Sequence, residues 1–241
     1  MNYVKFEKHF SSERISKYVV ATNNNKAKTV MLYKINMALS QAFMPLICLL
    51  EVTLRNNIDA VLSNKFKNGN WIISQKQGFM NDPRLQYIDR YTHRSIDNRY
   101  HLKQVEIAEK KIKTEGRKIT NGRIISEQTF GFWTSFYSKT VYKTLQGAPI
   151  HAFANRTPLC NRNIIFSELE QIRTFRNRIS HHEPICFNTS NQIDFSHATT
   201  IYKSIINIID WIDPEINSFL KEIDYVDVTL RRMKKKYKKI R

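Results

Sequence analysis

Apolar residues recur along this chain at steps of three and four, the signature of helices with one buried face. Met31, Ile35, Leu39, Phe43, Leu46, Leu50, Leu54, Ile58 and Val61 keep that spacing from about residue 26 to 66. They predict the longest helix, kinked or split where Pro45 interrupts it. Before it, Ile15, Tyr18 and Val19 behind Ser11 or Ser12 predict a short helix that Asn23-Asn24-Asn25 breaks. Leu102, Val105, Ala108 and Ile112 predict another. Ser126 heads a stripe of Phe130, Trp133, Tyr137, Val141 and Leu145, which Gly147 and Pro149 end. Ile165, Leu169, Ile172, Phe175 and Ile179 follow, capped by Asn161 or Asn163 and stopped before Pro184. Ser196 opens a helix through Ile201, Ile205, Ile208, Ile209 and Ile212, and Asp213-Pro214 closes it and starts the next. No clear strand alternation appears, so the fold class is all-α.

Charge narrows the function. Lysine and arginine number 39 against 21 acidic residues, a formal net charge of +18. Such a surface repels itself and gains from a polyanion through counterion release, which makes RNA or DNA the leading partner. An AT-rich genome, favouring Lys, Asn and Ile, is the competing source of some of the lysine. Candidate phosphate contacts are Lys110, Lys111 and Lys113 on an otherwise solvated helix face, and Arg231, Arg232, Lys234, Lys235 and Lys236 in a basic tail spanning residues 226–241. Phe132 or Tyr137 could offer a stacking face, although aromatics at that spacing are usually core. The domain expected is one helical body, residues 1–225, with a basic insertion at about 68–123.

Cys48, Cys160 and Cys186 are odd in number and form no C-x-x-C pair, which suits a reducing cytoplasm. Residues Met1–Phe10 carry charges and read as no signal peptide. The most apolar run, Ala42–Leu50, holds Pro45 and falls short of the roughly 20 residues of a bilayer span. No Walker loop or G-x-G-x-x-G motif is present, so no nucleotide cofactor is implied. His181, His182 and Cys186 make a poor metal set, because adjacent histidines rarely share one ion and no fourth ligand is near.

The chemistry concentrates in Arg173-Thr174-Phe175-Arg176-Asn177-Arg178-Ile179-Ser180-His181-His182-Glu183-Pro184. Arg176 lies between Ile172 and Ile179 on the apolar face, where a guanidinium needs a partner. The two imidazoles arrive as Pro184 ends the helix. Arg94 and His101 offer a similar spacing, but Asp97, Asn98 and Arg99 give that stretch no apolar face.

The run Arg176-Asn177-Arg178-Ile179-Ser180-His181-His182-Glu183-Pro184 resembles the R-N-x-x-x-H-H-E-P signature of the abortive-infection (AbiD/AbiF-like) proteins, a bacterial phage-defence family of the HEPN superfamily. Leu49-Leu50-Glu51-Val52-Thr53-Leu54-Arg55-Asn56-Asn57-Ile58 and Phe130-Gly131-Phe132-Trp133 are similar to further segments of that family. The resemblance covers about Tyr33 to Ile185. It implies a HEPN-like helical bundle, an R-x4-H ribonuclease motif, and a homodimer whose composite cleft holds two such motifs.

On that reading His181 transfers the proton, Arg176 stabilises the phosphorane, and Asn177 positions the substrate one turn before His181. His182 is a second acid/base group or a structural partner, and Arg173 and Arg178 add RNA contacts. Imidazole titrates near neutrality and guanidinium offers a rigid fork of donors, so the reaction needs no metal or cofactor. Glu51 and Arg55, four residues apart, form either a structural ion pair or a support in which Glu51 orients Arg176 or a histidine. The family context also allows a noncatalytic protein that holds a structured small RNA.

Overall fold

The computed structural model describes residues 1–88, 90–188 and 190–238. Lys239, Ile240 and Arg241 of the basic tail lie outside them. The described chain is helical apart from one two-stranded hairpin and an isolated bridge between Phe187 and Ile193.

Helices α1 (Tyr3–Phe10) and α2 (Ser12–Ala21) start on side-chain caps from Asn2 and Ser11. Helix α3 (Lys26–Phe66) runs unbroken through Pro45, so the expected split does not occur. Pro45 is exposed, where water can serve the carbonyl that its missing N–H leaves unpaired. Short α4 (Trp71–Ser74) precedes a hairpin of β1 (Gln86–Ile88) and β2 (Ser95–Asp97), which the hydrophobic pattern did not predict. Then come α5 (Tyr100–Thr114), α6 (Asn121–Glu127), α7 (Phe130–Thr134) and α8 (Lys139–Thr144). The single helix expected from Ser126 to Leu145 is thus three pieces, because the backbone turns extended at Gln128 and again at Ser138. Helix α9 (Arg162–Ser180) starts on Asn161, whose Oδ1 accepts from the N–H groups of Asn163 and Ile164. Helices α10 (Ser196–Ile212), α11 (Pro214–Leu220) and α12 (Val226–Lys238) complete the order.

By length and composition alone, α3 is apolar enough to cross a membrane, its most apolar 18 residues having a mean hydropathy of 1.7. The apolar stretch thus extends beyond Ala42–Leu50, the run that the sequence marks as most apolar. Part of that apolarity is core packing: Leu39, Phe43, Leu46, Leu50, Leu54 and Ile58 are fully buried.

The chain divides into two compact units, with the division falling inside α3, α9 and α10. The first comprises Met1–Leu49, Thr174–Asn207 and Glu215–Arg241. Its core joins Ile15, Tyr18, Leu39 and Phe43 to Phe175, Ile179, Ile201 and Ile205, with Phe43 and Phe175 meeting edge to face at 4.8 Å. Val226, Leu230 and Met233 of α12 are buried too, so the start of the basic tail is an amphipathic helix. The second unit comprises Leu50–Arg173 and Ile208–Pro214 and includes the whole of residues 68–123. Trp71, Phe79, Phe130, Phe132, Trp133, Phe136 and Tyr137 pack its centre around a buried His101. Phe132 and Tyr137 have no exposed face, which removes them as stacking surfaces for a base.

Candidate functional site at the end of helix α9

Helix α9 ends in a left-handed turn that determines where each histidine lies. The Glu183 N–H donates to the Arg178 carbonyl at 2.8 Å and the His182 N–H to the Ile179 carbonyl at 3.0 Å. That pair of bonds is a Schellman closure, with His182 as its left-handed residue at φ 56°. The doubled histidine therefore has two backbone roles. His181 is the last residue before the reversal and His182 occupies the position that glycine usually fills, a conformation in which His is among the better-tolerated alternatives.

Three further contacts hold this turn. Arg14 of α2 donates its Nη1 to the carbonyls of His181 (3.3 Å) and His182 (3.1 Å), placing a cation where the helix exposes its unpaired acceptors. Arg178 donates to the Pro184 carbonyl and lies 3.7 Å from the Glu183 carboxylate. Beyond Pro184, the Ile185 N–H donates at 2.7 Å to Oδ1 of buried Asn36 on α3. The Ile185 N–H that follows the motif is thus satisfied, and both imidazoles remain exposed.

Two clefts flank the turn. One, of about 610 Å³, is lined by Arg14, Lys17, Arg178, His181 and His182 among others. The second, of about 570 Å³, has His9, Tyr33 and His182 in its wall. Arg176 is half-buried, and its Nη1 lies 3.5 Å from Asn177 Oδ1. At about 100° per residue, Asn177 falls about 40° from His181 around the helix, and Arg176 about 140° away. The cations that share a cleft with His181 are therefore Arg14, Lys17 and Arg178. Glu51 and Arg55 are half-buried on α3 in the second unit. Arg55 Nε donates to Asn56 Oδ1 at 3.5 Å.

The remaining candidate cations differ in how freely they can meet a phosphate. Arg173 grips Glu170 with both arms, at 2.9 and 2.6 Å, and Arg231 pairs with Asp227. Lys111 bonds Glu127, and Lys234 reaches the Thr199 hydroxyl at 3.3 Å. Lys110, Lys113, Arg232, Lys235 and Lys236 are exposed.

Sequence reasoning missed four residues: His9, Arg14, Lys17 and His197. Partial burial and the neighbouring Arg178 guanidinium lower the His197 pKa, favouring a neutral ring, while its ring sits 5.7 Å from that of Phe175. No local pattern marks these residues, since Arg14 lies 167 positions from His181 and meets it only in the fold. The buried thiols of Cys160 and Cys186 are poor nucleophiles by comparison. Burial pushes Cys186 up to about 12 and raises Cys160. Among the described residues no three His, Cys, Asp or Glu side chains group as metal ligands.

A family model described as Abi-like protein matches residues 1–187, more than three quarters of the chain and the whole of the α9 turn. Comparison with curated proteins and with solved structures gives no match.

Proposed function

For a chain that belongs to the Abi-like protein family, and so to a group linked with abortive infection, we propose a cytoplasmic, metal-independent endoribonuclease of HEPN type that acts in phage defence. The observation that carries this reading is the cleft at the end of α9, where exposed His181 and His182 stand beside Arg14, Lys17 and Arg178. Such a set suits cleavage of RNA by its own 2′-oxygen. An imidazole removes the 2′-hydroxyl proton as that oxygen attacks phosphorus, and a second protonates the departing 5′-oxygen. The products carry a 2′,3′-cyclic phosphate and a 5′-hydroxyl. Cations stabilise the dianionic phosphorane between them. DNA has no 2′-hydroxyl and is not a substrate for this step.

His181 is assigned the proton transfer, Asn177 the positioning of the phosphate, and Arg176 the charge on the phosphorane. Because Arg176 and His181 diverge around α9, the proposed site is completed in a homodimer, where a partner's motif adds the second imidazole. Exposed Met37 and Met44 on α3 offer apolar surface for that second copy. The same divergence favours one competing reading, a noncatalytic protein that holds a structured small RNA on its cations.

The test is incubation of labelled RNA in EDTA with wild type and with an Arg176→Ala, His181→Ala double variant. The expected result is chelator-resistant cleavage that leaves cyclic-phosphate ends and falls at least about a hundredfold in the variant, with RNA affinity retained. An inert wild type that copurifies with one discrete RNA would establish the noncatalytic reading instead.

A further inference from the structure

The β1–β2 hairpin contributes little to any core. All three residues of β1 are exposed, as are Ser95 and Asp97 of β2. A two-stranded hairpin is marginal by itself, and one with neither face buried has a weakly specified register. Its base is tied down nevertheless. Leu85 is buried, and its carbonyl accepts from Asn98 N–H at 2.8 Å. Asp82 grips Arg84 at 2.8 and 2.7 Å, and Asp97 binds both Arg99 and Lys103. These hydrogen-bonded pairs hold the Asp82 carboxyl at about 2 and depress that of Asp97.

Above the base the composition changes. Tyr91 is 94% exposed, Ile88 67% and Tyr87 47%, in a strand and loop that also carry Arg90, His93 and Arg94. Large rings in water cost hydration free energy and do nothing here for the core. Arg84 and Arg99 have carboxylate partners at the base, whereas neither Arg90 nor Arg94 forms an ion pair with a described residue. His93 takes a left-handed conformation at φ 53°, which turns the chain at the tip.

We propose that this hairpin is a binding element for single-stranded RNA, in which Tyr91 stacks on an unpaired base and Arg90 and Arg94 bind the flanking phosphates. An aromatic face accepts any base, and neighbouring guanidinium groups add charge neutralisation and cation–π attraction. A duplex keeps its bases stacked inside and gives the ring nothing to hold. The inference shares with the proposed function only the RNA partner and is independent of cleavage.

The test measures affinity of the full chain for a fluorescein-labelled 12-nucleotide uridine strand and for a 12-base-pair RNA duplex, over a range of salt. Tyr91→Ala should weaken single-strand binding by about tenfold, leave the duplex unchanged and keep the salt slope. Tyr91→Phe should bind as wild type does. Arg90→Gln with Arg94→Gln should flatten the single-strand slope by roughly 0.7 for each phosphate that is no longer neutralised. Matching thermal melts would exclude unfolding as the cause. Single-strand affinity within twofold of wild type in Tyr91→Ala overturns the inference while leaving the ribonuclease reading standing. Hairpin-dependent binding by a wild type that never cleaves does the reverse, and a wild type that binds no RNA overturns both.

Discussion

His182 illustrates how a residue can be singled out for one reason and required for another. It attracted notice as half of a His-His pair beside an arginine motif, and the structure finds it closing α9 in a left-handed conformation. A side chain in that region costs about 1–2 kcal/mol that glycine avoids, less glycine's larger loss of freedom on folding. His182→Gly should therefore raise stability by about 0.5–1 kcal/mol in a urea titration and leave cleavage within a few-fold of wild type. Loss of cleavage at unchanged stability would show that its imidazole, and not only its backbone, takes part. For His181, whose backbone does not need the left-handed region, no such gain is expected on substitution.

Among elements, the contact between α5 and α7 depends on a buried imidazole. His101 packs against Phe132 at 4.8 Å and Phe136 at 4.2 Å, and its Nε2 lies 3.0 Å from Ser135 Oγ. Burial pushes its pKa down to about 3, so it is neutral in the folded protein and takes up a proton on unfolding below about pH 6.5. The sign follows from that difference: its contribution is complete above pH 6.5 and declines as pH falls, by up to about 1.4 kcal/mol per pH unit. Urea titrations at pH 7.5, 6 and 5 should show this decline in wild type, and His101→Phe should lack it. Equal pH dependence in the two proteins would mean that His101 binds its proton in the fold as readily as in the unfolded chain. Asp82, already held at about 2, contributes nothing to this window.

At the scale of the whole molecule, the proposed dimer makes a demand on the exposed face of α3. Lys34 and Arg55 bound a stretch of α3 whose exposed residues include Met37, Met44 and Cys48, with Glu51 the single charged side chain between them. If a second copy covers the part around the methionines, Met37→Glu with Met44→Glu should convert a dimer to a monomer in light scattering and reduce cleavage, while His181 and its surroundings keep their helical signal. A wild type that is already monomeric at micromolar concentration and cleaves RNA would remove the dimer from the mechanism.

How much of this was legible beforehand varies with the range of the interaction involved. The spacing of Leu39, Phe43, Leu46 and Leu50, and of Ile165, Leu169, Ile172 and Phe175, determined the helices and their buried faces, because an apolar stripe is a local periodic property. The Asn161 cap and the stop before Pro184 were equally local. The sequence also determined family membership, since the motif lies in one short run. It allowed a split at Pro45 that does not occur, since the proline's effect depends on whether water can reach the freed carbonyl, and it joined the Phe130 stripe, which extended residues at Gln128 and Ser138 cut into pieces. Only tertiary structure decided which cations share a cleft with His181. Arg14 meets the α9 terminus through hydrogen bonds spanning 167 and 168 residues of sequence, and the hairpin's exposed tyrosines are defined by what fails to cover them. Periodicity reports which face of an element is apolar; it carries no information about what another element brings to that face or leaves open beside it.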